Sequence, residues 1–392
     1  MNILILSEYF PETTSSDITG GVESRAFYLA KELSKKHSVY ILTSWRNNLE
    51  RKTEFKFIDK NKKIKHSFLV YRVGDHHPYS NNAGFLSRLN FACALVNQAK
   101  SFKNIDIIDA YNFTTYLPGY KIARKLKKKI IATYHETWIN EWIKNKGIIA
   151  LPYEVYERLI LKLNFDAFIS VSNFTKKRLI QNGVNEHKIK VISNGIDLEK
   201  FNLINKNQIK KEKRPTIIYV GRLIKTKKVD ILIKSISLLK KEIPDIKLKI
   251  IGQGQELNNL KKLSSNLNLE KNISFLGFLK SHEEVLNEIK KSHVFCSPSN
   301  VEGFGIVLLE AIALKIPFVC TEIPPFIEIT NKRGGLFFKP DNYLDLSKKL
   351  KQLLTDKILY KEKIKELDYI KDYDWEKIAK EVESFYKKVI NS

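Results

Sequence analysis

Short apolar runs alternate with amphipathic stretches from one end of this chain to the other. Residues 1–6 (Met-Asn-Ile-Leu-Ile-Leu) read as a strand. Gly20-Gly21 then precedes residues 22–33, where Val22, Ala26, Leu29, Ala30 and Leu33 recur on one helix face. Residues 38–43, 105–110, 129–134 and 167–172 read as further strands, whereas residues 47–82 carry no clear period and are left unassigned. The run 191–197 (Val-Ile-Ser-Asn-Gly-Ile-Asp) closes this half. The polar, Lys- and Asn-rich residues 202–214 read as a linker before Pro215 and a new strand at 216–220. The alternation then restarts, with strands at 248–251, 294–296 and 318–320, a helix at 305–313, and a closing helix at 375–389. Such alternation predicts a doubly wound α/β protein built from two similar halves.

Length and composition agree with that outline. A chain of 392 residues, 43% apolar and 28% charged, suits two globular domains and excludes wholesale disorder. No run reaches the roughly 18 apolar residues of a membrane span. The first apolar run is short, lacks a basic leader and is broken by Ser7-Glu8, so it does not read as a signal peptide. Cys93, Cys296 and Cys320 show no metal-ligand spacing and are expected to be small buried hydrophobes. These features point to the cytoplasm.

The formal net charge of +25 changes the picture more. It fits an acidic partner (anionic lipid, a phosphorylated acceptor or nucleic acid), and it equally fits a chain that favours Lys throughout. Aromatic RNP strands and zinc-finger spacing are missing, so nucleic acid is not expected as a partner. Residues 120–130 hold Lys121, Arg124, Lys125, Lys127, Lys128 and Lys129, with Ile122, Leu126 and Ile130 every fourth residue. This spacing predicts an amphipathic helix. Its basic face is either solvated or a contact for an anionic membrane surface, which would make the protein peripheral at the inner face of the cell membrane.

Candidate chemistry gathers where strands end. Gly20-Gly21 lies between the first strand and first helix, where backbone can approach a ligand and a helix N-terminus favours an anion. Gly221-Arg222-Leu223 follows the strand at 216–220, and Lys227 comes soon after; an Arg fork and a Lys point charge could grip a diphosphate, or simply form a solvated loop. Glu302-Gly303-Phe304-Gly305 leads into the helix at 305–313, which carries Glu310 among Leu308, Leu309, Ala311 and Ile312. Two carboxylates near a helix N-terminus suit a ligand bearing both phosphate and adjacent hydroxyls. A capping carboxylate plus a surface Glu is the plainer reading, weakened by the apolar setting of Glu310. His135 ends the strand at 129–134, placed for a sugar hydroxyl or a structural role. Asp372-Tyr373-Asp374 mimics a metal–diphosphate motif, but its position directly before a helix reads as an N-cap.

The order of these pieces resembles the family-4 retaining glycosyltransferases of the GT-B fold. The matching landmarks are Gly20-Gly21, Thr133-Tyr134-His135, Val171-Ser172, the 191–197 run, Tyr219-Val220-Gly221-Arg222-Leu223, Ile251-Gly252-Gln253-Gly254, Glu302-Gly303-Phe304-Gly305 with Glu310-Ala311, and Gly334-Gly335-Leu336. The resemblance implies two Rossmann-like domains facing each other across a cleft. The acceptor-side domain would span residues 1–200 and the donor-binding domain residues 201–374. The helix at 375–390 would cross back to the first. It implies transfer of a hexosyl residue (mannosyl, glucosyl or N-acetylglucosaminyl) from a nucleotide-diphosphate sugar to a glycan, lipid-linked or polysaccharide acceptor, of the kind used in building cell-surface polysaccharide. Anomeric configuration would be kept and no cofactor or metal needed. An epimerase or phosphorylase of the same fold, and a basic nucleic-acid-binding protein, are the alternatives.

Roles carried over by the resemblance are specific. Arg222 and Lys227 match the basic pair on the donor diphosphate, Glu310 the carboxylate on the ribose, and Glu302 the carboxylate near the transferred sugar. Phe304, Gly305 and Ile306 match backbone contacts, and Gly252 and Phe278 lie where the base would meet the backbone. His135 matches a histidine beside the donor sugar. Gly21 matches a loop glycine near the diphosphate, with Gly20 on the acceptor side. The chain departs from the pattern at Lys228 and Lys315, where the family usually has glycine or another small residue.

Overall fold

Four consecutive aliphatic side chains, Ile3 to Leu6, form a strand that needs cover on both faces, and the fold buries all four completely. The computed structural model describes residues 1–14, 20–46, 49–58, 63–78, 84–207 and 209–392. The chain divides into two compact units: Met1–Gly195 with Trp375–Ser392, and Ile196–Asp374.

The first unit runs β1 (Asn2–Leu6), α1 (Gly21–Leu33), β2 (Ser38–Trp45), β3 (Lys52–Ile58), β4 (Ile64–His76), α2 (Phe85–Gln98), β5 (Ile107–Ala110), α3 (Phe113–Leu126), β6 (Lys129–Tyr134), α4 (Trp142–Lys146), α5 (Leu151–Leu161), β7 (Ala167–Ser170), α6 (Asn173–Gln181) and β8 (Ile189–Val191). Among the described residues its sheet has the order β3-β4-β2-β1-β5-β6-β7-β8. Every pairing is parallel except β3–β4. The order reverses direction between β1 and β5, the switch point at which such sheets place ligands.

The second unit runs α7 (Leu198–Lys206), β9 (Thr216–Val220), α8 (Val229–Glu242), β10 (Lys247–Ile251), α9 (Leu257–Asn266), β11 (Ile273–Gly277), α10 (His282–Lys291), β12 (Val294–Ser297), α11 (Ile306–Ala313), β13 (Phe318–Thr321), α12 (Pro324–Thr330), β14 (Gly335–Phe338), α13 (Tyr343–Thr355) and α14 (Lys357–Lys365). Its sheet, ordered β11-β10-β9-β12-β13-β14, is parallel throughout and switches between β9 and β12.

The last helix, α15 (Trp375–Ile390), belongs to the first unit. Trp375, Ile378, Ala379, Val382, Tyr386 and Val389 recur at three- and four-residue spacing, and all are buried in the core formed with Ile3, Ile5, Ala26 and Leu29. Burying a side chain such as Val382 contributes about 1.5–3 kcal/mol. Trp375 stacks on Tyr28 of α1 at 5.7 Å. The Tyr386 hydroxyl donates at 2.5 Å to Asp109 of β5, which also accepts from Thr133 at 2.7 Å.

Three sequence expectations need correction, and one unassigned stretch gains structure. Residues 120–130 are not one helix: α3 stops at Leu126, Lys127 turns left-handed (φ 54°), and Lys129 and Ile130 already belong to β6. Residues 47–82, unassigned from sequence, contain the antiparallel β3–β4 pair at the sheet edge. Residues 202–206, read as linker, complete α7. Cys296 and Cys320 are buried as expected, but Cys93 is exposed on α2.

Candidate functional site

Loops after the central strands of the second unit pack backbone against backbone. Gly221 donates to the Ile251 carbonyl (3.0 Å), Gly252 to Gly277 (2.8 Å), and Leu223 to Gln253 (2.9 Å). These bonds carry the parallel ladder beyond the ends of β9, β10 and β11. The approach requires glycine: a Cβ on Gly252 (φ +135°) would lie 2.0 Å from the Gly221 carbonyl oxygen. Phe278, next to Gly277, stands exposed at the rim.

Across the switch point, the loop after β9 meets the loop after β12. The Asn300 amide donates to the Thr226 carbonyl at 3.0 Å. Lys227 Nζ pairs with Glu302 Oε1 at 2.5 Å, both side chains largely covered. Arg222 is exposed and forms no ion pair among the described residues, while its carbonyl is fixed by the Tyr219 hydroxyl at 3.0 Å. Glu302 opens the approach to α11. Gly305 precedes that helix in the left-handed region (φ 97°), pressed against Phe326, and supplies no side-chain cap. The first N–H groups of α11, beginning at Ile306, therefore remain available to an anion. Phe304 is buried edge-on against Tyr373, so its ring packs while its backbone holds the turn.

Glu310 lies one turn into α11, on the side facing α10. His282 Nε2 is 3.0 Å from Glu310 Oε1, and Lys200 Nζ is 3.3 Å from His282 Nδ1. An ammonium can only donate, so Nδ1 accepts and Nε2–H donates to Glu310. The imidazole thus fixes the carboxylate. His282 and Lys200 were not singled out from the sequence, because neither lies in a motif and both act through Glu310. The cluster combines two cations, two oriented carboxylates and an uncapped helix start. Chemically it fits a ligand with phosphates at one end and adjacent hydroxyls at the other.

In the first unit, Gly20 is the N-cap of α1 with no side-chain cap, and Gly21 begins the helix. Arg25, on the next turn, is wholly buried; it donates to the carbonyls of Ile192 and Ser193 and to Asn194 Oδ1. His135 follows β6. Its Nε2 is buried without a hydrogen-bond partner, and burial, aided by the Arg25 charge, pushes the imidazole down to about 3. It is neutral at physiological pH, with one ring nitrogen free to meet a ligand.

A denser network sits at the switch point between β1 and β5. Glu8, just past β1, accepts from His77 Nε2 (3.0 Å), Arg88 Nε (3.1 Å), Asn112 Nδ2 (3.1 Å) and Thr114 Oγ1 (2.9 Å). Burial alone would raise this carboxyl, but the His77 bond, the Arg88 charge and the Thr114 bond outweigh it and hold the group below its usual value. The sequence reading passed over Glu8. Its signal was a carboxylate two residues after the four aliphatic residues that end the first strand.

Two units with largely parallel sheets, the second with an uncapped helix start and paired carboxylates at its switch point, suit a ligand that carries both phosphate and hydroxyl groups. Comparison with known proteins agrees. Residues 19–200 match the model described as Glycosyltransferase Family 4, and residues 200–368 the model described as Glycosyl transferases group 1. The chain belongs to this glycosyltransferase family and has the GT-B fold. It is 26% identical to an uncharacterized glycosyltransferase of Methanocaldococcus jannaschii over 95% of this chain and 96% of that protein. It is 32% identical to one of Haemophilus influenzae over 46% of this chain, and there it spans about half the relative's length (51%). The crystal structure of Anabaena HepE in complex with UDP-glucose superimposes with a TM-score of 0.73 at 18% identity, covering 99% of this chain and 100% of that one.

Proposed function

We propose that this chain is a retaining, metal-independent hexosyltransferase. It moves a mannosyl, glucosyl or N-acetylglucosaminyl residue from a nucleotide-diphosphate sugar to a hydroxyl of a glycan, lipid-linked or polysaccharide acceptor, in the cytoplasm. The observation that carries this reading is the Arg222–Lys227–Glu302 group beside the uncapped start of α11, with Glu310 oriented by His282. The UDP-glucose complex of HepE supports a nucleotide-sugar donor.

In this reading Arg222, Lys227 and the Ile306 end of α11 bind the diphosphate. Glu310 accepts from the ribose hydroxyls, and Glu302 from the transferred sugar. The backbone at Gly252 and Phe278 meets the base. Phe304 and Gly305 shape the turn that presents these amides, and Gly21 lets the donor approach closely. The bond from the anomeric carbon to the phosphate oxygen breaks, and a bond to the acceptor oxygen forms on the same face. The acceptor proton passes to the leaving diphosphate. Neutral His135 hydrogen-bonds the donor sugar, and the loop at Gly20 lies toward the acceptor.

The test is release of nucleoside diphosphate by purified protein from a panel of nucleotide sugars, with and without glycan or lipid-linked acceptors, and assignment of product anomeric configuration by NMR. Acceptor-dependent release with retention supports the reading. Release without acceptor, phosphate-dependent sugar phosphate formation, or inversion refutes it.

A further inference from the structure

Over residues 151–159 the helix α5 is turned inside out relative to an ordinary surface helix. Its carboxylates point inward: Glu157 accepts from the Trp138 amide (3.2 Å) and Trp142 Nε1 (2.7 Å), and buried Glu154 pairs with Arg158 at 2.8 Å. Ile160 and Leu161, at its C-terminal end, join the core, but its other aliphatic residues point outward. Leu151, Val155 and Leu159 are exposed on one face, and Ile148 (81%) and Ile149 (83%), in the turn before the helix, are almost fully open. Ile143 of α4 extends the patch. A solvated helix places polar residues on this face. Contiguous exposed aliphatics of this kind mark an interaction surface.

The charges around the patch decide what the surface fits. Both carboxylates of α5 are buried, and among the described residues the exposed charged side chains of the helix and its immediate ends, Lys144, Arg158 (paired with Glu154) and Lys162, are all cationic. Arg158 follows Leu151, and Lys162 follows Val155, at seven-residue spacing along the same exposed face. Apolar side chains ringed by cations, on a chain carrying +25, match an anionic bilayer. Among the described residues no helix is long and apolar enough to cross a membrane. We propose that residues 143–162 form an interfacial docking surface for anionic lipid, with Ile148 and Ile149 inserted among the acyl chains and Lys144, Arg158 and Lys162 at the headgroups. The surface is separate from the basic stretch at 121–129, whose residues are divided between α3 and β6 and carry no comparable exposed apolar face. It places an acceptor held in a membrane within reach of the first unit, but its existence does not depend on the donor or the reaction.

The test is flotation of the full chain with vesicles of phosphatidylcholine alone and of equal parts phosphatidylcholine and phosphatidylglycerol, without donor or acceptor. Wild type should float with the anionic vesicles only. The triple variant Ile148→Ser/Ile149→Ser/Leu159→Ser should lose binding about tenfold or more, while melting temperature and nucleoside diphosphate affinity stay unchanged. Lys121→Ala/Lys125→Ala should float like wild type. Failure of wild type to float, or retained flotation of the triple variant, overturns the proposal. So does a wild-type dimer in light scattering that the triple variant converts to monomer, because the face would then join two copies of this chain.

Discussion

Lys227 and Glu302 meet at 2.5 Å across the point where the second sheet reverses its order. The cation assigned to the donor diphosphate is therefore already neutralised, by the carboxylate assigned to the transferred sugar. In the proposed site a bound diphosphate would compete with Glu302 for Lys227. A partly covered ion pair contributes up to about 1 kcal/mol.

Glu302→Gln consequently has opposite effects on binding and turnover. Calorimetry should show nucleoside diphosphate binding about two- to fivefold tighter, since Lys227 no longer shares its charge. Acceptor-dependent turnover should fall by about tenfold or more with the loss of a charge-assisted contact to the sugar. Weaker diphosphate binding would show that Glu302 serves to hold Lys227 in place.

Lys315 occupies a left-handed turn (φ 60°) after α11, and Lys228 does the same (φ 52°) before α8. These are the two positions where the chain departs from the family's small residue. The backbone conformation explains the family preference: left-handed geometry costs a non-glycine residue about 1–2 kcal/mol. Lys315→Gly should stabilise the second unit by about 1 kcal/mol, since the exposed Lys315–Asp368 pair it removes contributes little. Differential scanning calorimetry should show a rise of about 2–4 °C for that unit. No rise would mean that the lysine pair offsets the strain.

Two buried carboxyls make stability depend on pH near neutrality. Burial raises Asp109 to about 7 despite its bonds from Tyr386 and Thr133, and raises Glu157 to about 7 despite Trp142 and Trp138. The folded state keeps these protons where the unfolded state has lost them, so stability falls as pH rises toward and through 7. Lowered histidines such as His135 and His293 act around and below about 6.5, where stability rises with pH, and lowered Lys211 acts from about 8 upward. Between pH 6.5 and 7.5 each carboxyl contributes a fall of about 0.7 kcal/mol, while the lowered histidines His37, His66, His135 and His293 contribute in the opposite sense as the unfolded imidazoles lose their protons. Asp109→Asn removes one carboxyl and no histidine, so urea melts at these two pH values should show its stability changing by about 0.7 kcal/mol in the upward direction relative to wild type. The same change in both proteins would show that Asp109 does not titrate in this range.

The sequence made visible what local pattern controls. Strands buried on both faces, such as β1 and β9, stood out as apolar runs, and the donor-side motifs followed them at strand ends. The edge strand β3 did not, because Lys52, Glu54 and Lys56 alternate with a face of which only Phe55 is fully buried. The false helix at 120–130 arose because Ile122, Leu126 and Ile130 keep a four-residue spacing across a helix–strand break. Lys127, not glycine or proline, makes that turn. Glu8 was hidden because, apart from the adjacent Tyr9 hydroxyl, its side-chain partners lie 69 to 106 residues away. Tyr386 and Asp109 are 277 residues apart, and nothing near either announces the other.

The central claim is that the second unit grips a diphosphate through Arg222. It is tested most directly by titrating a nucleoside diphosphate and the matching monophosphate into wild type and Arg222→Ala. Loss of a charged hydrogen bond should weaken the diphosphate by about tenfold or more and leave the monophosphate within about twofold. Equal weakening of both nucleotides, or no change in either, would contradict the assignment.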